Sequence, residues 1–227
     1  MTIERALALG CYIEVDVSAT ADGVPVLWHP HGLDRARPGR PLNLDAEGLR
    51  ISDLNTDRRG GDAVVHRLDD VLGSYTEMRA LIDVKKWSAV APVGHAIAAT
   101  KAAHRISIGT FSQARTDATA KEIFSLTGVR VCTSMGPAAL ARLAVRALVA
   151  PHRPWRARAH SAQAPYRYVT ERLVAAAHCA GSAVLPWTVN NIDDMRRMLA
   201  IGVDGMITDY PSRLIEVLSS RRDERSG

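Results

Sequence analysis

Two carboxylates stand two positions apart in a short apolar stretch near the start of the 227-residue chain. Glu14 and Asp16 alternate with β-branched apolar residues, which is the period of a β-strand, so both carboxylates point to one face. Like charges this close repel each other, and hard cations such as Ca²⁺ or Mg²⁺, which prefer carboxylate oxygens, relieve the repulsion. The pair therefore suggests a metal site. A strand-end acid pair satisfied by arginines has the same pattern and stays open as the alternative.

A second charged pair follows the same rule farther along the chain. Asp83 and Lys85 alternate with Ile82 and Val84, so an acid and a base share one face at the end of a predicted strand. Asp83 would complete a trio of acids suited to a hard cation, and no cluster of His and Cys favours zinc. Lys85 offers a compact positive charge for a phosphate oxygen. A simple ion pair between the two residues is the alternative.

A histidine ends the next predicted strand after the first acid pair. His29 has the same parity as Leu27 and Pro25, which predicts that it faces the carboxylates. An imidazole exchanges protons near neutral pH and suits general acid–base catalysis, while a hydrogen-bonded structural histidine is the alternative. His31 is a weaker candidate, because the pattern does not define its orientation.

The elements that would position these residues are short apolar strands alternating with amphipathic helical stretches, the pattern of parallel βαβ units. A polar segment of about 30–66 lacks periodicity and is predicted to be a loop insertion that faces the substrate. The region 150–168 shows no clear pattern, and about 220–227 is predicted to be a basic disordered tail. Seven strands are predicted, at residues 12–17, 24–29, 79–84, 106–111, 129–133, 183–188 and 205–208. The fold class predicted is α/β, a (β/α)8 TIM-type barrel in one domain spanning 1–227.

Composition narrows the choice of partners and compartment. The net charge is +5 and the pI about 9.4, but basic residues are scattered among acids without stacking aromatics, which argues against a nucleic-acid partner. No apolar run approaches the ~18 residues of a membrane span, so no integral membrane segment is expected. The start shows no signal-peptide pattern, which favours a cytoplasmic location. The three cysteines are too far apart for a zinc spacing, and their odd number does not fit a disulfide framework.

Seven motifs occur in the order in which they are found in glycerophosphodiester phosphodiesterases, and the resemblance spans nearly the whole chain. They are Ala8-Leu9-Gly10 leading to Glu14-Val15-Asp16, then Asp22-Gly23-Val24-Pro25-Val26 with His29, Leu33-Asp34-Arg35, Leu68-Asp69-Asp70-Val71-Leu72, Ile82-Asp83-Val84-Lys85, and two closing motifs, Trp187-Thr188-Val189-Asn190 and Gly202 to Pro211.

The resemblance implies hydrolysis of glycerophosphodiesters, the small-molecule partner expected here, to glycerol 3-phosphate and an alcohol. It implies that Glu14, Asp16 and Asp83 bind a divalent cation, Ca²⁺ or Mg²⁺. It also implies that His29 is one acid–base histidine and that Lys85 contacts phosphate. Trp187 would line the substrate pocket. A role in packing alone is the alternative.

The sequence departs from the family pattern in two ways. The family's first strand ends in H-R-G and is followed by P-E-N-T, and neither motif is present, so the first βα unit is expected to be largely missing and activity impaired. Asp83 stands where the family usually has Glu. Two alternatives therefore stay open: a non-catalytic phosphodiester-binding protein, and a sphingomyelinase-like or phospholipase D-like enzyme on the same barrel.

Overall fold

The computed structural model describes residues 3–28, 46–54 and 65–226, with side chains described as far as residue 221. His29, His31 and most of the predicted insertion of about 30–66 lie outside these ranges. The chain divides into two compact units, one formed by Glu14–Cys132 and the other by Met1–Ile13 with Thr133–Gly227.

Strands and helices alternate through most of the described chain. The strands are β1 (Ile13–Ala19), β2 (Pro25–Leu27), β3 (Ala80–Val84), β4 (Ile106–Gly109), β5 (Cys132–Thr133), β6 (Ser161–Pro165) and β7 (Ala183–Trp187). The α-helices among the described residues are α1 (Ile3–Ala8), α2 (Leu68–Ser74), α3 (Val90–Ala99), α4 (Gln113–Thr127), α5 (Pro137–Val149), α6 (Glu171–His178), α7 (Ile192–Ala200) and α8 (Pro211–Ser226). None of the described helices is long and apolar enough to cross a membrane.

The Glu14–Cys132 unit is built on a sheet of order β2-β1-β3-β4, with β5 at its edge. β1 and β2 are antiparallel, and the turn between them contains Gly23 in the left-handed region at φ 79°. β3 and β4 are parallel, with Asp83 opposite Gly109. Because β1 and β3 are neighbours, the two charged pairs of the sequence fall on adjacent strands.

The helices of this unit begin and end at residues that satisfy their free backbone groups. Ser112 caps the start of α4 by accepting a hydrogen bond from the Arg115 amide, and Gly128 ends that helix in the left-handed conformation. At the end of α2, Arg105 donates hydrogen bonds to the carbonyl oxygens of Leu72, Tyr75 and Met78 at 2.6–3.1 Å. The Arg105 bonds thus link the end of α2 to the start of β4.

The second unit has its own core around the parallel pair β6 and β7, which are joined from Ser161–Ala183 to Pro165–Trp187. Buried side chains of α5, α6 and α7 pack on this pair, among them Leu143, Val174 and Met195. The helices begin at Thr170 and Asn191, whose side chains accept backbone hydrogen bonds in the first turn.

The structure corrects three of the sequence-based assignments. The unclear region 150–168 contains strand β6, which the sequence did not predict. The strand predicted at 205–208 is not formed. The Ile207 amide still donates to the Pro186 carbonyl, and the Ile207 carbonyl accepts from the Val189 amide. Residues 220–226, predicted to be a disordered tail, continue helix α8. Within the predicted insertion, Ala46–Gly48 and Ile51–Asp53 form short 3-10 helices.

Candidate metal and phosphate site

In the described part of the Glu14–Cys132 unit, one lysine joins two acids in a charged cluster. Lys85 Nζ lies 2.7 Å from Asp16 Oδ1 and 2.6 Å from Asp83 Oδ2. The side chains of the two acids keep only 10% and 14% of their exposed area, so water screens these contacts weakly. The structure thus brings together three of the residues that the sequence singled out.

The local strand geometry explains why these side chains meet. Along β3 the residues alternate as predicted, with Ile82 and Val84 fully buried on one face and Asp83 on the other. The Lys85 amide donates to the Val17 carbonyl at 2.9 Å, which ties the end of β3 to β1. This bond holds the charged face of β3 beside the charged face of β1.

The pKa values in the cluster reflect competition between burial and ion pairing. Burial lowers the pKa of Lys85, but the hydrogen bonds and charges of Asp16 and Asp83 outweigh it and raise that pKa above its usual value. Burial raises the pKa of Asp83, and the hydrogen bond and charge of Lys85 offset this only in part. The ammonium group therefore stays charged. Burial makes the charged form of Asp83 less favourable than it would be in water.

Glu14 is the acid that the lysine does not neutralise directly. Desolvation, followed by the negative charge of Asp16, raises the pKa of Glu14 from 4.5 to about 7, and Asp83 adds to the effect while Lys85 opposes it. The residue as a whole is exposed, yet its carboxyl group lies close enough to protein for desolvation to dominate. The environment thus disfavours the charged form of this carboxyl group and favours its protonated form.

The donor set fits a hard divalent cation. Asp83 Oδ1 is buried and has no hydrogen-bond partner, so one carboxylate oxygen of the cluster is available as a ligand. Three carboxylates against one lysine leave a negative excess, and carboxylate oxygens are the ligands that Ca²⁺ and Mg²⁺ prefer. Within the described ranges no group of three acids, histidines or cysteines is already arranged around a metal position. Lys85 occupies oxygens of both aspartates in this arrangement.

An arginine that the sequence analysis did not single out also acts on the cluster. Arg115, in the first turn of α4, contributes positive charge that lowers the pKa of Asp83. Its Nε atom is buried and has no hydrogen-bond partner. No sequence pattern pointed to Arg115, because its position depends on how α4 packs after β4.

The two closing motifs are joined to each other in the second unit. Asn190 Oδ1 accepts hydrogen bonds from Thr208 Oγ1 at 3.2 Å and from the Asp209 amide at 3.0 Å. Its Nδ2 donates to Asp209 Oδ2 at 2.8 Å. Trp187, at the end of β7, is half-buried, and its peptide bond to Thr188 is cis. The motif asparagine therefore has a structural role, linking the loop after β7 to the loop before α8.

Asp204 in the last motif also has structural contacts. Its Oδ2 accepts from the Val184 amide at 2.7 Å and lies 2.9 Å from His178 Nε2. These contacts join the segment after α7 to strand β7 and to the end of α6.

Comparisons with known proteins agree with this architecture. The sequence profile described as the glycerophosphoryl diester phosphodiesterase family matches residues 1–213. A protein of Mycobacterium tuberculosis named probable glycerophosphodiester phosphodiesterase 2 is 35% identical over 96% of this chain and 83% of its own length. A glycerophosphodiester phosphodiesterase of Caldanaerobacter subterraneus subsp. tengcongensis is 28% identical over 95% and 89%.

Solved structures show the same relationship. The crystal structure of a putative glycerophosphoryl diester phosphodiesterase from Silicibacter pomeroyi superimposes with a TM-score of 0.72 at 25% identity, covering 96% of this chain and 86% of that one. A glycerophosphodiester phosphodiesterase from Agrobacterium tumefaciens gives 0.69 at 21% identity, covering 95% and 90%. These neighbours confirm the predicted α/β fold class of the TIM-barrel type. The chain belongs to the glycerophosphoryl diester phosphodiesterase family.

Proposed function

We propose that this chain hydrolyses glycerophosphodiesters to glycerol 3-phosphate and an alcohol, using a divalent cation, Ca²⁺ or Mg²⁺, held by Glu14, Asp16 and Asp83. The observation that carries the proposal is the charged cluster on β1 and β3, with its buried and unpartnered Asp83 oxygen. Family membership supports the reaction class. A distant relative from Oleispira antarctica, 16% identical, was crystallised with the product sn-glycerol-3-phosphate, which is the product proposed here.

The proposed contacts to phosphate come from two positively charged residues of the chain. When bound, the cation polarises the phosphoryl oxygens and lowers the pKa of a hydroxyl bound to it. Lys85 leaves the aspartates and donates to a phosphate oxygen, a common use of a lysine ammonium. Arg115 supplies a second positive charge from α4, with a buried Nε that has no partner of its own among the described residues.

Proton transfer is assigned to His29. Its neutral imidazole would take a proton from the attacking hydroxyl, or its protonated form would give one to the leaving oxygen. In the overall reaction the bond between phosphorus and the alcohol oxygen breaks. Water supplies the hydroxyl that stays on phosphorus and the proton that leaves with the alcohol. Trp187 is assigned to the wall of the substrate pocket.

The proposal is tested by incubating the purified protein with glycerophosphocholine and with glycerophosphoethanolamine and measuring glycerol 3-phosphate released. Activity that needs added Ca²⁺ or Mg²⁺ and is abolished by EDTA is expected. Activity unchanged by EDTA would remove the cation from the proposal.

The same assay separates the alternatives. Faster turnover of lysophosphatidylcholine than of glycerophosphocholine would identify a lipid-directed phosphodiesterase of the phospholipase D-like type. Saturable binding of glycerophosphocholine in the presence of Ca²⁺, with no product formed, would identify a binding protein instead of an enzyme.

A further inference from the structure

Basic residues occur along the whole chain, but the excess of positive over negative charge comes from one stretch that contains no acid. Residues 123–170 contain seven arginines and no lysine, aspartate or glutamate, whereas the rest of the chain has 22 basic residues against all 24 acidic ones. The net charge of +5 therefore comes entirely from this stretch. Most of it lies in the second unit, on α5 and the segment between α5 and β6.

Helix α5 is apolar on two opposite faces. Leu143 and Ala147 are buried in the core of the unit. On the other side Val145, Leu148 and Val149, spaced as neighbours on one helix face, are 58%, 72% and 74% exposed. A helix whose second apolar face stays in water marks an interaction site more often than a solvated surface.

Exposed basic side chains follow the helix along the chain. In the segment that follows α5, the exposed Arg156 and Arg158 alternate with Trp155 and Ala157, which pack against the core. Arg153 is exposed as well. In the part of the chain that the structure describes, none of these three arginines forms an ion pair with a carboxylate. Their charge is thus available to an external partner.

Two contacts fix the surface in place. Arg172 of α6 donates to the carbonyl oxygens of Ala147 and Leu148 at 2.9 and 2.6 Å, which satisfies the end of α5. Arg146 lies over the ring of Trp155 at 5.2 Å and joins the helix to the basic segment. The exposed apolar residues and the arginines are therefore held on rigid supports.

We propose that this surface, called the α5 surface and formed by Val145, Leu148, Val149, Arg153, Arg156 and Arg158, docks the protein on an anionic lipid membrane. Aliphatic side chains enter the boundary between headgroups and acyl chains, and arginines pair with lipid phosphates.

Other occupants match the surface less well. A second copy of the chain in a symmetric contact would bring the same arginines face to face. Nucleic acid would use the arginines, but it gains nothing from exposed aliphatic side chains, and the one tryptophan of the segment is half-buried beneath Arg146. Of these three occupants, a lipid surface is the one that uses both the charge and the apolar residues.

The test is sedimentation of the purified protein with vesicles of phosphatidylcholine alone and of equal parts phosphatidylcholine and phosphatidylglycerol. Binding to the mixed vesicles that weakens with salt is expected, with little binding to phosphatidylcholine alone. The double variant Arg156→Gln with Arg158→Gln is expected to bind about 30-fold more weakly, and Leu148→Ser about tenfold more weakly.

The matched control is Arg196→Gln with Arg197→Gln, which removes the same charge from exposed positions of α7 that pair with Asp193 and Asp194. It is expected to bind within about twofold of the unchanged protein, because its arginines are already neutralised locally. Thermal unfolding of each variant checks that it is folded. Equal losses of vesicle binding in the α5 surface variants and in the control variant would overturn the proposal, and so would an absence of binding to mixed vesicles. Binding to duplex DNA that Leu148→Ser leaves intact, in place of vesicle binding, would also overturn it. The measurement is independent of hydrolysis.

Discussion

Lys85 follows the last residue of β3, and its Nζ lies 2.7 Å from Asp16 Oδ1 on the neighbouring strand β1. The ammonium group therefore occupies a carboxylate that the proposed cation also needs. Lys85 is therefore both the proposed phosphate ligand and a competitor of the metal. Removing its charge should therefore weaken catalysis and strengthen cation binding.

Changing Lys85 to Met is expected to lower kcat/KM by about 10², because a charge-assisted contact to phosphate is lost. The same change should tighten Ca²⁺ or Mg²⁺ binding, since the oxygens of Asp16 and Asp83 are released. Titration calorimetry of the cation and steady-state kinetics measure the two effects. Lys121→Met, at an exposed position of α4, serves as the control. Weaker cation binding in the Lys85 variant would contradict the competition.

Changing Asp83 to Asn is expected to weaken cation binding by about tenfold or more, because it removes a negative ligand whose Oδ1 has no other partner. The rise in Tm on adding the cation measures this directly and does not depend on activity. Asp193→Asn, at an exposed acid of α7, should leave the rise unchanged. If both variants show the same rise, Asp83 is not a ligand.

Changing His29 to Ala is expected to lower kcat by about 10² or more, the usual contribution of a general acid or base. The cation-induced rise in Tm should stay as in the unchanged protein, because the imidazole is assigned to proton transfer and not to the metal. Turnover of glycerophosphocholine tests the loss of kcat, and thermal unfolding with and without the cation tests the unchanged rise in Tm. A variant with nearly full turnover would remove His29 from the mechanism.

Glu14 predicts a specific dependence of stability on pH when no cation is present. Its pKa is raised from 4.5 to about 7 in the folded protein, so the folded state binds the proton more tightly than the unfolded state does. The resulting stabilisation is complete below pH 4.5 and is lost as the pH rises through about 7. In EDTA, Tm of the unchanged protein should therefore fall relative to that of Glu14→Gln between pH 5 and pH 8. Parallel curves for the two proteins would mean that the environment does not perturb this carboxyl group.

Asp204 is expected to contribute to the stability of the fold and not directly to the site. Changing it to Ala leaves the Val184 amide without its acceptor and removes the contact to His178, so the free energy of unfolding should fall by about 1–2 kcal/mol. Urea unfolding measures the change. Asp194→Ala removes only an exposed pair with Arg197 and should cost less than about 0.5 kcal/mol. Similar losses for both would show that Asp204 contributes no more than a surface charge.

Local patterns predicted the elements that carry the charged cluster. The alternation of Asp83 with Ile82 and Val84 defines one charged and one buried face whatever surrounds the strand, because successive side chains of a strand point to opposite sides. Helix ends are equally local: Gly10, at φ 73° in the left-handed region that glycine favours, follows α1. Family membership was also readable from motif order, and the profile match confirms it.

Strand β6 shows where local patterns were insufficient. Its sequence, Ser161 to Pro165, has no β-branched or aromatic residue, so its strand propensity is low. It is a strand because it pairs along its whole length with β7 and is covered by the core of the second unit. Conversely, the predicted strand at 205–208 has suitable residues but makes only scattered backbone hydrogen bonds.

Residue types and their spacing along single segments indicate which residues carry charge and which face of a strand they share, and the order of motifs along the chain indicates the family. Which charges meet depends on packing. Lys85 contacts Asp16 because β3 lies beside β1, and the charge of Arg115 reaches Asp83 because α4 packs after β4. The exposed apolar face of α5 likewise became visible only once the opposite face was seen to fill the core. Contacts between distant segments depend on packing and strand order, which spacing along the chain does not specify.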